Sequence, residues 1–333
     1  MSPDPASTPY ADLTPDLILG AAETLDLAPT GGFQALASYE NRVYKIETEG
    51  PPWAVKFYRP NRWSDAAIAE EHGFLKELVD AEIPAVAPLA RAGQTLFHAG
   101  GYRFAVFPWR PGRAGCVETA SDRRALGRHL GRLHLVGTGR FAKRPTLDTA
   151  SFMDPAIATL ADSPFMPPDV RPAFLATTAR LRAAVAAVFA DIGAPTLRLH
   201  GDCHAGNVLT DGTTLTLVDF DDCLNGPAIQ DLWMLLPGDR AEQEEALGAL
   251  IEGYGLFRDF DPAQLRLIEP LRTMRLLHFN AWIARRWEDP AFPRAFPWFA
   301  EDRHFRELLG LLASQEQRLA APPIRLHTPQ RHL

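Results

Sequence analysis

Residues 197–209, LRLHGDCHAGNVL, followed at 215–222 by LTLVDFDD, constrain this chain more than any other stretch. An apolar run enters a loop bearing Gly201 and Gly206, and the two glycines argue against a regular helix across it. The pattern predicts strand, loop, short strand, turn and strand. It puts His200, Asp202 and Asn207 on the first loop, with Asp219 opening a second after the apolar Leu215–Val218. A carboxylate in such a loop can orient an incoming hydroxyl and take its proton. An amide oxygen and a second carboxylate nearby suit a hard cation. A proton acceptor and oxygen ligands for a cation bridging phosphates are most of what phosphoryl transfer asks of a protein.

Four residues separate Asp202 from Asn207, the spacing of the catalytic loop in kinases, and Asp219 stands where kinases place their main metal carboxylate. The competing chemistry for the segment is zinc, since His200, Cys203 and His204 are capable ligands. A His-x-x-x-His zinc site needs a helix and an intervening Glu, and Gly201 and Asp202 stand there instead. His200 is therefore expected to pack under the loop and His204 to order the same turn. Asp221 is open to two readings, an anion beside the metal carboxylate or an extra ligand. Asp231 precedes an apolar helix and is expected to brace the catalytic loop. The eleven residues between Asp219 and Asp231 contain no Ser, Thr or Tyr, which argues against control by phosphorylation there.

Upstream, the pattern predicts a short helix at 15–25 and strands at 42–47 and 53–58. A helix at 64–79 and a strand pair at 95–98 and 102–107 follow, the pair turning at Gly100–Gly101. The Pro- and Gly-rich 108–115 marks the boundary, after which helices at 122–135, 172–189 and 264–287 dominate. The expected class is α+β and bilobal, protein-kinase-like: a small lobe with an antiparallel sheet at 1–108 and a larger, mainly helical lobe at 109–333. No internal repeat is visible, and the tail after Pro322 reads as weakly ordered.

The small lobe offers the phosphate-binding groups. Lys56 sits in WAVKFY among apolar neighbours, and a helix carboxylate some 10–20 residues later would hold it. Glu70 and Glu71 both qualify, with Glu70 preferred. No G-x-G-x-x-G loop is present; Ser38 and the backbone around Tyr39–Asn41 stand in its place, able to offer hydroxyl and amide donors. Phe107–Trp109 ends the lobe where adenine would meet backbone amides and carbonyls. Late in the chain, Arg272, Arg275, His278, Arg285 and Arg286 alternate with Trp282 and Trp287. They read either as buried aromatics with solvated arginines or as an acceptor groove for an acidic partner surface.

Together the H-G-D-x-H-x-x-N loop, SYENRVY, VKFYRP, the EEH helix, NGPAIQDLWMLL and IEPLRTMRLLHFNAWIARRWEDPAFP resemble the aminoglycoside phosphotransferase and choline kinase superfamily. Within it they resemble the RdoA-type serine/threonine kinases, over nearly the whole chain. The resemblance implies an ATP- and Mg2+-dependent kinase of the bacterial stress response, with a protein Ser/Thr acceptor. Asp202 would be proton acceptor, Asn207 and Asp219 would hold magnesium, and Ser38, Lys56 and Glu70 would bind nucleotide. A small-molecule kinase acting on an amino alcohol, sugar or aminoglycoside is the alternative, and a non-catalytic nucleotide-binding regulator is a third. A formal net charge of −7 without a long Lys/Arg tract argues against nucleic acid as partner. No apolar run approaches a membrane span, no secretory signal is visible, and Cys116, Cys203 and Cys223 are too few and scattered for a disulfide framework. A cytoplasmic monomer is expected.

Overall fold

The computed structural model describes residues 9–326, so part of the expected loose start and the tail from 327 onward lie outside the described residues. The chain divides into two compact units, Met1–Gly115 with Gly206–Asp221, and Cys116–Ala205 with Asp222–Leu333. A single cut after Pro108 therefore differs from the observed division. β6 (Arg113–Ala114) pairs with β8 (Val208–Thr210), itself paired antiparallel with β9 (Leu215–Leu217), and Leu217 of β9 bridges to Ala85. These pairings return the 206–221 hairpin to the first unit.

In the first unit, β1 (Pro29–Ala35), β2 (Arg42–Thr48), β3 (Trp53–Phe57), β4 (Phe97–Ala99) and β5 (Tyr102–Pro108) form an antiparallel sheet in the order β1-β2-β3-β5-β4. Side chains alternate across a strand. Val55 and Phe57 of β3, with Phe104 and Val106 of β5, join Ile18, Ala21 and Ala22 of α1 (Pro15–Glu23) in one core. Lys56 and Ala105 point to the other face, where Tyr58 and Ile68 pack and where α2 (Asp65–Asp80) lies. Both helices begin at hydroxyl caps, Thr14 accepting from Leu17 N and Ser64 from Ala67 N. β1 is not among the strands the sequence pattern indicates. It is a largely exposed edge strand, and an irregularity between Pro29 and Phe33 carries Gly31 and Gly32.

The second unit is built from α3 (Ala120–Val136), α4 (Asp154–Ala161), α5 (Arg171–Ile192), α6 (Gln230–Trp233), α7 (Arg240–Tyr254), α8 (Ile268–Arg285), α9 (Ala291–Ala295) and α10 (Asp302–Ala320). Its only ladder among the described residues joins β7 (Leu197–Leu199) to β10 (Leu224–Gly226). α5 is the one described helix long and apolar enough to cross a membrane by length and composition. It differs from the sequence expectation because its many alanines raise mean hydropathy without making a continuous greasy face. Phe174, Thr177, Thr178, Leu181 and Val185 bury one side, while Arg180 and Arg182 pair with Glu316 and Asp154. α10 escaped the sequence reading, yet its buried Phe305, Leu308, Leu312 and Gln315 follow helical spacing.

α3 and α7 approach closely because three glycines keep side chains out of the interface. A Cβ on Gly127 would stand 2.1 Å from Leu250 O, one on Gly131 2.7 Å from Tyr254 O, and one on Gly253 2.0 Å from Arg124 O. Gly127→Ala is expected to cost about 1–3 kcal/mol of stability by overpacking, read as a lower urea midpoint at unchanged slope. Gly248→Ala, on α7 where a Cβ meets nothing within 4 Å, is expected instead to gain about 0.5–1 kcal/mol.

Candidate active site

Lys56 is only 7% exposed, on an interior strand. Its ammonium lies 2.9 Å from Asp221 Oδ1, 3.4 Å from Glu71 Oε1 and 3.8 Å from Asp219 Oδ1. Burial alone would favour the neutral amine, but Asp221 and then Glu71 outweigh it and hold the pKa well above the ordinary lysine value. Lys56 thus stays a cation in a dry setting. Its partner on α2 is Glu71, 1% exposed, and not the preferred Glu70. One residue turns a helix by about 100°, and α2 buries Ile68, Glu71, His72 and Leu75 on the face toward the sheet while Glu70 is only half-buried. Asp221 lies within the same charged cluster. It receives Lys56 on one oxygen and Arg62 on the other, and Glu40 in turn joins Arg62 at 3.5 Å and Arg59 at 3.2 Å.

Asp219 follows β9 with φ +62°, a left-handed backbone that costs a non-glycine residue about 1–2 kcal/mol. The kink separates adjacent side chains. Asp219 is 59% exposed, whereas Phe220 is buried with its ring centroid 6.1 Å from that of Phe74. Val218 N donates to Asn207 O at 3.0 Å, which ties the two loop ends together. Asn207 and Asp219 line a cavity of about 350 Å³ within the first unit, together with Ser38, Lys56, Glu71 and Trp109. Its remaining walls include Val43, Ala54, Phe107 and Leu209, an apolar surface fit for a flat aromatic base. Among the described residues no three His, Cys, Asp or Glu side chains gather as a metal cluster. An all-oxygen pair supplied by Asn207 and Asp219 fits Mg2+, which takes few protein ligands and completes its shell from phosphates and water.

The chain passes from the second unit into the first at Ala205–Gly206, so Asp202 belongs to the second. Asp202 Oδ1 accepts from Arg275 Nη1 at 2.7 Å, and Oδ2 lies 3.5 Å from His204 Nε2. Burial pushes its pKa up, but the His204 hydrogen bond and the Arg275 charge prevail and hold it well below the usual carboxylate range. Beneath the loop sits Asp231, fully buried. It accepts from His200 N and Gly201 N at 2.8 Å each and meets His134 Nε2 at 3.1 Å. Gln230 Nε2 adds a bond to Gly201 O at 2.8 Å, and His200 Nδ1 accepts from Asp202 N at 3.3 Å. Gly201 is required here: its φ is +86°, and a Cβ would stand 2.2 Å from Asp222 O. Burial and the nearby Asp231 carboxylate also push the Cys203 thiol well up, so it is a packing group.

The late arginines do not share one groove. Arg272 pairs with Glu269 and lies over the Trp233 ring, Arg275 goes to Asp202, Arg285 donates to Thr159 Oγ1, and Arg286 lies over Trp282. Sequence reasoning missed the Arg275–Asp202 and Arg62–Asp221 pairs.

A lysine clamped to a helix carboxylate, a cavity ending in Asn and Asp, and a braced Asp loop agree with the alignment of residues 32–268 to the phosphotransferase enzyme family, to which this chain belongs. Stress response kinase A of Escherichia coli O157:H7 is 44% identical over 320 residues, 95% of this chain and 97% of that protein. Serine/threonine protein kinase RdoA of Salmonella typhimurium strain LT2 is likewise 44% identical over 320 residues, with the same coverage. In structure, the chain is similar to amicoumacin kinase hAmiN, solved in complex with AMP-PNP, Ca2+ and Ami. The TM-score is 0.67 at 19% identity, covering 88% of this chain and 93% of that one. The expected α+β kinase-like class stands, and the chain is a phosphotransferase.

Asp231→Ala leaves two buried backbone donors without an acceptor and is expected to cost about 3–5 kcal/mol. A denaturation midpoint close to that of the unaltered chain would remove Asp231 from its bracing role.

Proposed function

We propose that this phosphotransferase is an ATP- and Mg2+-dependent serine/threonine protein kinase of the bacterial stress response, acting in the cytoplasm, where ATP is made available. The observation that carries the reading is the buried Lys56–Glu71 pair lining the same cavity as Asn207 and Asp219. The protein acceptor and the stress setting rest on the relatives' names and on identity spread along nearly the full length of both chains.

In this reading the first unit, residues 1–115 with the 206–221 hairpin, holds the nucleotide. The apolar wall receives adenine, Lys56 meets the α- and β-phosphates, and Ser38 offers a hydroxyl to the phosphate chain. Asn207 and Asp219 would hold Mg2+, which when bound neutralises charge on the phosphate oxygens. Asp202 orients the acceptor hydroxyl. As that oxygen bonds to the γ-phosphorus, the bond from phosphorus to the β,γ-bridging oxygen breaks, ADP leaves, and the hydroxyl proton passes to the Asp202 carboxylate.

Labelled ATP and Mg2+, with dephosphorylated casein and a metabolite panel in separate tubes, tests the acceptor class. Label on protein supports the reading; label on a metabolite alone moves the chain to the small-molecule kinases. Asp202→Ala is expected to slow transfer by about 10²–10⁴-fold while sparing ATP binding, and Asp219→Ala to weaken Mg-ATP binding as well. Transfer unaffected by both changes would contradict the assigned centre. Glu71→Gln is expected to weaken ATP binding about tenfold or more, as loss of a buried charged bond does. Glu70→Gln serves as the comparison, and equal effects of the two would refute the Lys56–Glu71 assignment.

A further inference from the structure

The Asp202 carboxylate is held from two elements. His204 lies on its own loop, and Arg275 reaches it from α8, 73 residues along the chain. α8 is a firm base for that reach: Leu271, Met274, Leu277 and Ala281 are all at most 2% exposed. The Arg275 side chain is itself 43% exposed and Asp202 27%. The pair stands at the rim of the loop, half in water and half in the protein. The neighbouring arginines of the helix are engaged elsewhere, with Glu269, Thr159 and Trp282. Arg275 reaches the catalytic loop.

A carboxylate has about four acceptor directions over its two oxygens. Unrestrained, it turns about its own axis and offers them indiscriminately. A guanidinium carried on a helix packed along one face takes one direction on Oδ1 and sets the plane. We infer that Arg275 is a positioning residue, holding the Asp202 carboxylate in one orientation toward the acceptor hydroxyl. The inference rests on Asp202 being the proton acceptor. It makes α8 part of the catalytic apparatus, although the helix carries none of the residues of the phosphate-binding cavity.

The test is a double-mutant cycle on the full chain, with saturating Mg-ATP and dephosphorylated casein. Turnover is read as ADP released, which registers transfer to casein and to water alike. Arg275→Ala is expected to lower kcat by about 10- to 100-fold, the scale of a misplaced reacting group, with KM for ATP unchanged. Arg275→Lys should recover most of the loss. The double variant Asp202→Ala/Arg275→Ala should be no slower than Asp202→Ala alone, because Arg275 acts only through that carboxylate. Wild-type kcat in Arg275→Ala, or a full additional loss in the double variant, would overturn the inference. Wild-type turnover in Asp202→Ala would instead overturn the proton-acceptor reading beneath it, so the two failures are distinct. Should Arg275→Ala unfold, Arg275→Gln, which keeps a donor and much of the length, enters the cycle in its place with the same outcomes.

Discussion

An ammonium group removed from water loses several kcal/mol of solvation unless charged partners replace it. In the first unit that demand falls on Lys56, in the middle of the sheet, and it is met by Glu71, Asp221 and Asp219. Much else follows from the need. α2 must present Glu71, which fixes its rotation about its own axis. The turn after β9 must bring Asp221 inward while leaving Asp219 outward, and the left-handed backbone at Asp219 does so. Arg62 and Glu40 extend the alternation of charge outward from Asp221. A cation kept charged in a largely apolar cavity is a ready counterpart for phosphate.

The second unit solves the complementary problem for an anion. Asp231 is buried deeper than Asp202 and never meets solvent, so its role is to accept the backbone N–H groups of His200 and Gly201. That shapes the loop from below. Arg275 and His204 then act on Asp202 from the exposed side. Three layers, a buried carboxylate, a loop backbone and a half-exposed carboxylate, pass rigidity from the core to Asp202.

Legibility in the sequence followed the range of each interaction. Asp202, Asn207 and Asp219 announce themselves because one short segment carries all three with turn glycines and apolar flanks. The sheet strands and α2 were readable from alternation and helical period. The choice between Glu70 and Glu71 was not, since it depends on helix phase against a sheet that the local pattern does not show. Asp221 stays ambiguous because its partner Arg62 is 159 residues away, and Arg275 reads as either a solvated arginine or part of a groove because nothing local ties it to Asp202. The return of residues 206–221 to the first unit was likewise hidden, since it rests on distant partners: the two-residue strand β6, the backbone at Pro84–Ala85, and Lys56 and Arg62 on Asp221.

The most direct test is a crystal structure of the chain with Mg2+ and a non-hydrolysable ATP analogue. The account predicts metal density coordinated by Asn207 Oδ1 and the Asp219 carboxylate, with Lys56 Nζ on the α- or β-phosphate and still paired with Glu71. Nucleotide bound away from Lys56, or a metal ion touching neither Asn207 nor Asp219, would contradict it.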